Sequence, residues 1–213
     1  MTEKRFGKLI KLSLLALCLS AAQFSHAFVV TINPGPRSLF LQVGAGAITG
    51  GNFNNGGTPG NNPDVNIVST IVPFANVGAG SVAMTTNSNV SISPYDGFTF
   101  CSAPTQMYVG GYYRNANSGT PATANLTVTS PAALTNALSN TIPFNAISWI
   151  SSGNGDPVAT IPSGTFVGGA TQSLLTVARN TWFESCLRFN YANAQIAPSG
   201  TYSGLTTYTL TAP

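Results

Sequence analysis

The sequence predicts an all-β protein, an antiparallel β-sandwich forming a single domain. Three observations lead there. Short apolar runs are separated by clusters of Gly, Pro, Asn and Ser at intervals of roughly 8–15 residues, the rhythm of strands joined by turns. Two of the runs alternate bulky with hydroxyl or amide side chains, which puts one face on a core and the other in water. Only one stretch, residues 132–138, reads as a helical turn or two, and no repeat of fixed period is present.

The chain opens on a different kind of segment. Lys4, Arg5, Lys8 and Lys11 form a basic front, residues 12–22 are apolar, and Ser25-His26-Ala27 puts small residues at the −3 and −1 positions of a cleavage site. A secretory signal peptide over residues 1–27 is expected, cut between Ala27 and Phe28, leaving a β-sandwich domain over 28–213 in the periplasm, on the cell surface or outside the cell. The apolar run is about 11 residues, short of the roughly 18–20 a spanning helix needs, and no other stretch is apolar enough. No transmembrane helix is therefore expected in the processed chain. Cys18 suggests a lipid anchor, but Leu17 stands where such sites carry a small residue. Cleavage removes four of the eight basic residues and one of the five acidic ones, so the formal charge falls from +3 to zero. A neutral surface offers no footprint for nucleic acid.

The elements follow in order. Residues 28–32 and 38–43 are strand-like, separated by the turn Asn33-Pro34-Gly35-Pro36. Residues 44–62, rich in Gly and Asn, read as a long flexible loop with almost nothing to bury. Strands are expected again at 65–72, 81–86, 89–92, 97–101, 107–113, 124–129, 146–150, 165–167, 173–177, 181–191 and 201–211. In the stretch 124–129, Ala124, Leu126 and Val128 alternate with Asn125, Thr127 and Thr129. In the last one, Tyr202, Thr206, Tyr208 and Leu210 share a face opposite mostly hydroxyls.

Two cysteines remain after processing, and in an oxidising compartment Cys101 and Cys186 are expected to pair. Parity sets Cys101 against Phe98 and Phe100. It sets Cys186, with Trp182, Glu184 and Arg188, against Phe183, Leu187, Phe189 and Tyr191. The bridge is thus expected between neighbouring strands, nearer the surface than the core. Glu184 and Arg188 lie about 13 Å apart along their strand, too far to bond, and read as ordinary surface charges.

The chemical inventory is thin. His26, the only histidine, leaves with the leader, as does every lysine, so Ser-His-Asp, Cys-His and Ser-Lys catalysis lose their base. No metal site is expected, because zinc ligands are too few and the asparagine-rich loop supplies calcium with mainly neutral oxygens. No cofactor is implied. Asp64, Asp96, Asp156 and Glu184 keep a glycosidase formally open, although Asp96 and Asp156 sit in turn sequences. Tyr112, Tyr113, Trp149, Trp182 and Tyr191 would make a sugar-stacking platform if they lined an exposed face, Trp182 being of most interest because it shares the parity of Glu184 and Arg188; the competing reading places them in the core.

The stretch Pro198-Ser199-Gly200-Thr201-Tyr202-Ser203-Gly204-Leu205-Thr206-Thr207-Tyr208-Thr209-Leu210 resembles the final hairpin of secreted bacterial Ig-like domains, including chaperone–usher pilin subunits and the spore coat U group. The resemblance implies an Ig-like sandwich. For the pilins it implies assembly in which an N-terminal segment such as 28–32 completes a neighbour's sheet. Those pilins carry their disulfide near the start of the domain, whereas Cys101 and Cys186 lie in the middle and towards the end of this chain. The function expected is a secreted, non-catalytic, surface or extracellular structural and adhesive role, partnered by its own copies or a surface glycan. The alternatives are a carbohydrate-binding module and, further off, an outer-membrane barrel, which the short strands and terminal Pro213 argue against.

Overall fold

The computed structural model of the protein describes residues 29–62, 64–119, 121–153 and 159–212. The expected signal peptide, its cleavage point at Ala27 and Phe28, and Asp156 lie outside them. The fold is all-β and antiparallel throughout, built on two sheets. Their strands are β1 (Val29–Thr31), β2 (Ser38–Val43), β3 (Val82–Ala83), β4 (Met107–Arg114), β5 (Thr123–Thr129), β6 (Ile147–Ser152), β7 (Gly164–Thr165), β8 (Thr171–Ala178), β9 (Thr181–Tyr191) and β10 (Thr207–Thr211).

The seven-stranded sheet runs β7-β6-β9-β4-β2, with β1 and β3 also paired to β9. The 11 residues of β9 outreach each neighbour. On one flank β1 covers residues 181–183 and β6 covers 186–191; on the other, β4 covers 181–185 and β3 covers 190–191. The smaller sheet is β8-β5-β10, with a bulge in β8 between Ser173 and Leu175. Ala124, Leu126 and Val128 of β5 are fully buried against Val109 and Tyr113 of β4 and Phe183 and Leu187 of β9, which makes the sandwich core.

The opposite face of the large sheet is not left to water. Two parts of the chain, 48–53 and 90–101, fold back over it and enclose two smaller clusters, one around Val90, Phe100, Tyr108 and the cysteines, the other around Ile32, Tyr112 and Trp182, whereas Val68, Val72 and Met84 between those parts join the sandwich core. The stretch 44–62, expected to bury almost nothing, contains the small hairpin Ile48–Thr49/Thr58–Pro59 and lays Phe53 on the second cluster.

Other expectations change as well. Residues 89–92 and 97–101 are not strands but irregular chain joined by a single bridge, Ile92 to Thr99. The expected helical turn at 132–138 is instead the strand Ala133–Thr135, paired with Thr141–Pro143. Asn136 decides this: its side-chain oxygen accepts from the backbone N–H of Leu138 (3.0 Å) and Asn140 (2.8 Å), closing a hairpin that overrides local Ala and Leu propensity. Of the stretch 201–211, only Thr207–Thr211 is a strand, with Tyr208 and Leu210 half-buried and Thr207, Thr209 and Thr211 exposed as their parity requires. Val29–Thr31 pairs with β9 of its own chain, so this segment completes its own sheet.

Candidate functional site

Cys101 and Cys186 form a disulfide, with an S–S length of 1.98 Å and Cα atoms 5.5 Å apart. The expected position near the surface is corrected, since Cys186 is fully buried and Cys101 nearly so. Parity mapped Cys186 correctly to the face opposite Phe183 and Leu187, but that face is roofed. Around Cys101 parity fails, because Phe100 and Cys101 both donate their backbone N–H to the Ser91 carbonyl, an irregularity that turns both side chains into the same cluster. Phe100 is buried beside the bridge while Phe98 is 71% exposed.

The aromatic residues lie in the interior, as the reading that competed with a stacking platform has it. Trp182, Trp149, Tyr112 and Tyr113 are all buried, and they divide between two interiors. Trp149 lies in the sandwich core, 4.9 Å from the Phe166 ring, and its indole N–H donates to the Pro162 carbonyl at 2.8 Å. Tyr113 and Tyr191 belong to that core too. Tyr112 and Trp182 lie under the roof, 5.8 Å apart, with Phe40, Phe53 and Tyr95 packed around them. Glu184 is fully buried as well, whereas Arg188 on the same face stands in solvent.

Beside this aromatic cluster lies a buried polar one, which the register builds. Gln42, Gly110 and Glu184 sit side by side across β2, β4 and β9, one row from Phe40, Tyr112 and Trp182. Gly110 leaves room where a side chain would stand, and the Tyr108 hydroxyl occupies it. From the roof, Ser93 donates its hydroxyl to Glu184 Oε1 at 2.7 Å and accepts from the Tyr95 N–H at 3.0 Å. The Tyr108 hydroxyl and the Trp182 indole N–H approach the same carboxyl, yet neither completes a hydrogen bond of ordinary geometry, and Oε2 keeps no full partner. Burial pushes the Glu184 carboxyl up to about 7; Ser93, Tyr108 and Trp182 pull it down and Asp96 adds to the rise. Burial, reinforced by Glu184, also raises the Tyr108 phenol well above its ordinary value.

The other described carboxylates have separate positions. Asp96 accepts from the Phe98 N–H at 3.0 Å within its turn, and Asp64 lies on the rim of a groove along β2. Among the described residues no group of three or more His, Cys, Asp or Glu could hold a metal ion. No helix among them is long and apolar enough to cross a membrane.

An open groove of about 390 Å³ adjoins the aromatic cluster, lined by Thr31, Asn33, Phe53, Asn54, Tyr95 and Arg114. Sequence reasoning missed its residues, as it missed Ser93, Gln42 and Tyr108. The Gly110-Gly111 pair in the middle of a strand was the available signal, because adjacent glycines there mark close approach by other groups. No family model, curated protein or solved structure matches the chain.

Proposed function

We propose that the processed protein is a secreted, non-catalytic scaffold of Ig-like type with a structural and adhesive role at the cell surface. The observation that carries this reading is the double-sided burial of the large sheet. One face packs on the smaller sheet, and the other is roofed by a segment sewn down through Cys101–Cys186. Among the described residues, the one carboxylate with a strongly shifted affinity for protons is fully buried under that roof, which suits a structural role better than turnover. A disulfide fits an oxidising compartment. Outwardly the protein offers hydroxyls, amides and some apolar side chains. Phe74 is 96% exposed on a turn that Asn193 holds by donating to the carbonyls of Asn76 (2.7 Å) and Gly80 (3.0 Å). A rigidly held, solvated aromatic is suited to contact with a partner.

Cell fractionation followed by electrophoresis without boiling tests the role. Association with the outer surface, with or without a detergent-resistant ladder, is the expected result. A protein recovered only as a free monomer overturns it.

A further inference from the structure

We propose that the groove beside Arg114 is a binding site for an acidic saccharide, one or two sugar rings bearing a single carboxylate. The proposal deepens the adhesive part of the proposed role and rests on that reading for its biological setting.

Four arginines lie beyond the expected leader. Arg37 donates to the Ala212 carbonyl at 2.9 Å, Arg179 donates to the Asn117 carbonyl at 2.6 Å, and Arg188 stands in solvent. Arg114 differs, because its Nε is buried and has no hydrogen-bond partner among the described residues. The guanidinium is also held in place. It lies over the Tyr112 ring, 5.7 Å from the centroid, and the Gly35 turn closes so tightly that a Cβ there would stand 3.1 Å from Nε. A planar fork immobilised in this way matches a carboxylate, which it binds through two parallel N–H donors.

The walls specify the rest of the ligand. Phe53 and Tyr95 stack with centroids 6.1 Å apart and offer apolar surface to the C–H face of a sugar ring. The side chains of Asn33 and Asn54 are exposed at the rim, where amides can exchange hydrogen bonds with hydroxyls. The lip is preformed, since Phe53 N–H donates to the Pro94 carbonyl at 2.7 Å and Asn54 N–H to the Tyr95 carbonyl at 2.8 Å. A volume of about 390 Å³ lies at the lower end of small-ligand sites and accommodates a short saccharide. With one cation in the groove, the ligand is a monoanion and not a polyanion.

Purified exported protein, titrated with galacturonate, its disaccharide with a neutral sugar, glucose and acetate, tests the site. Trp182 lies 5.0 Å from the Phe53 ring and 5.5 Å from the Tyr95 ring, so its fluorescence reports occupancy, with calorimetry as the second readout. The uronate or its disaccharide should bind at least tenfold more tightly than glucose or acetate and should weaken with added salt. Arg114→Gln should lose tenfold or more, and Asn54→Ala, at an exposed position that leaves the fold untouched, several-fold. Arg188→Gln should bind like the native protein. Flat titrations, equal affinity for glucose or for acetate, or an unchanged Asn54→Ala together with an unchanged Arg114→Gln would overturn the site. Uronate binding by a protein that never associates with the surface would uphold the site and remove only the role.

Discussion

Glu184 shows how far one residue's surroundings can depart from what its sequence neighbours suggest. Strand parity put it beside Arg188 as a surface charge; the structure keeps Arg188 in solvent and buries Glu184 among Ser93, Tyr108 and Trp182. Parity assigns a side chain to a face, but says nothing about whether another segment covers that face. The consequence is testable through pH. With a folded-state value of about 7 against an ordinary 4.5, the folded protein holds a proton that the unfolded chain has released between those limits. Stability is therefore greatest below about pH 4.5, falls as pH rises to about 7, and levels off above it, by about 3 kcal/mol at most. No imidazole beyond His26 titrates in that window. Urea midpoints measured from pH 4.5 to 8 should decline in the native protein and stay flat in Glu184→Gln, which preserves an acceptor for the Ser93 hydroxyl. A decline of equal size in that variant would assign the effect elsewhere.

Among the elements, β5 and β9 were legible because each makes continuous ladders, so a period of two survives from sequence to structure. Residues 97–101 and 132–138 were not, because Phe100 and Cys101 share the Ser91 carbonyl, which breaks the period of two, and because Asn136 substitutes its own side chain for helical hydrogen bonds. The centre of β4 lies between these cases: its strand was legible, but its glycines gained meaning only with neighbours in place. A Cβ on Gly111 would fall far inside van der Waals contact with the Phe40 carbonyl oxygen in β2, and one on Gly110 would collide with the Tyr108 hydroxyl. Backbone cannot yield without parting β2 from β4, and Tyr108 is fully buried. Gly110→Ala and Gly111→Ala should each cost about 1–3 kcal/mol by overpacking. Gly119→Ala, with nothing near its would-be Cβ, should stay close to native. The measurement is the shift in urea midpoint, and equal midpoints for all three variants would contradict the packing described.

At the scale of the molecule, the protein is a sandwich with an added roof, and the two interiors are held differently. The core between the sheets is a continuous apolar cluster reaching from Met84 to Tyr191. The roof contributes little regular structure over the large sheet, and its own clusters are small. Cys101–Cys186 joins the roof to the central strand directly across that boundary. A sequence separation of 85 gives the bond about 4–5 kcal/mol in the chain-entropy model, a large part of an ordinary domain's stability. The two tryptophans lie on opposite sides of the boundary, Trp182 under the roof and Trp149 in the sandwich core. A Cys101→Ser/Cys186→Ser variant should therefore lose the roof first. Trp182 emission should shift to the red and become accessible to acrylamide at denaturant concentrations where Trp149 remains protected. Single-tryptophan versions, made with Trp149→Phe or Trp182→Phe, separate the two signals. Coincident loss of both, at a midpoint unchanged from the native protein, would show that the roof is bound by packing alone and that the bond is dispensable.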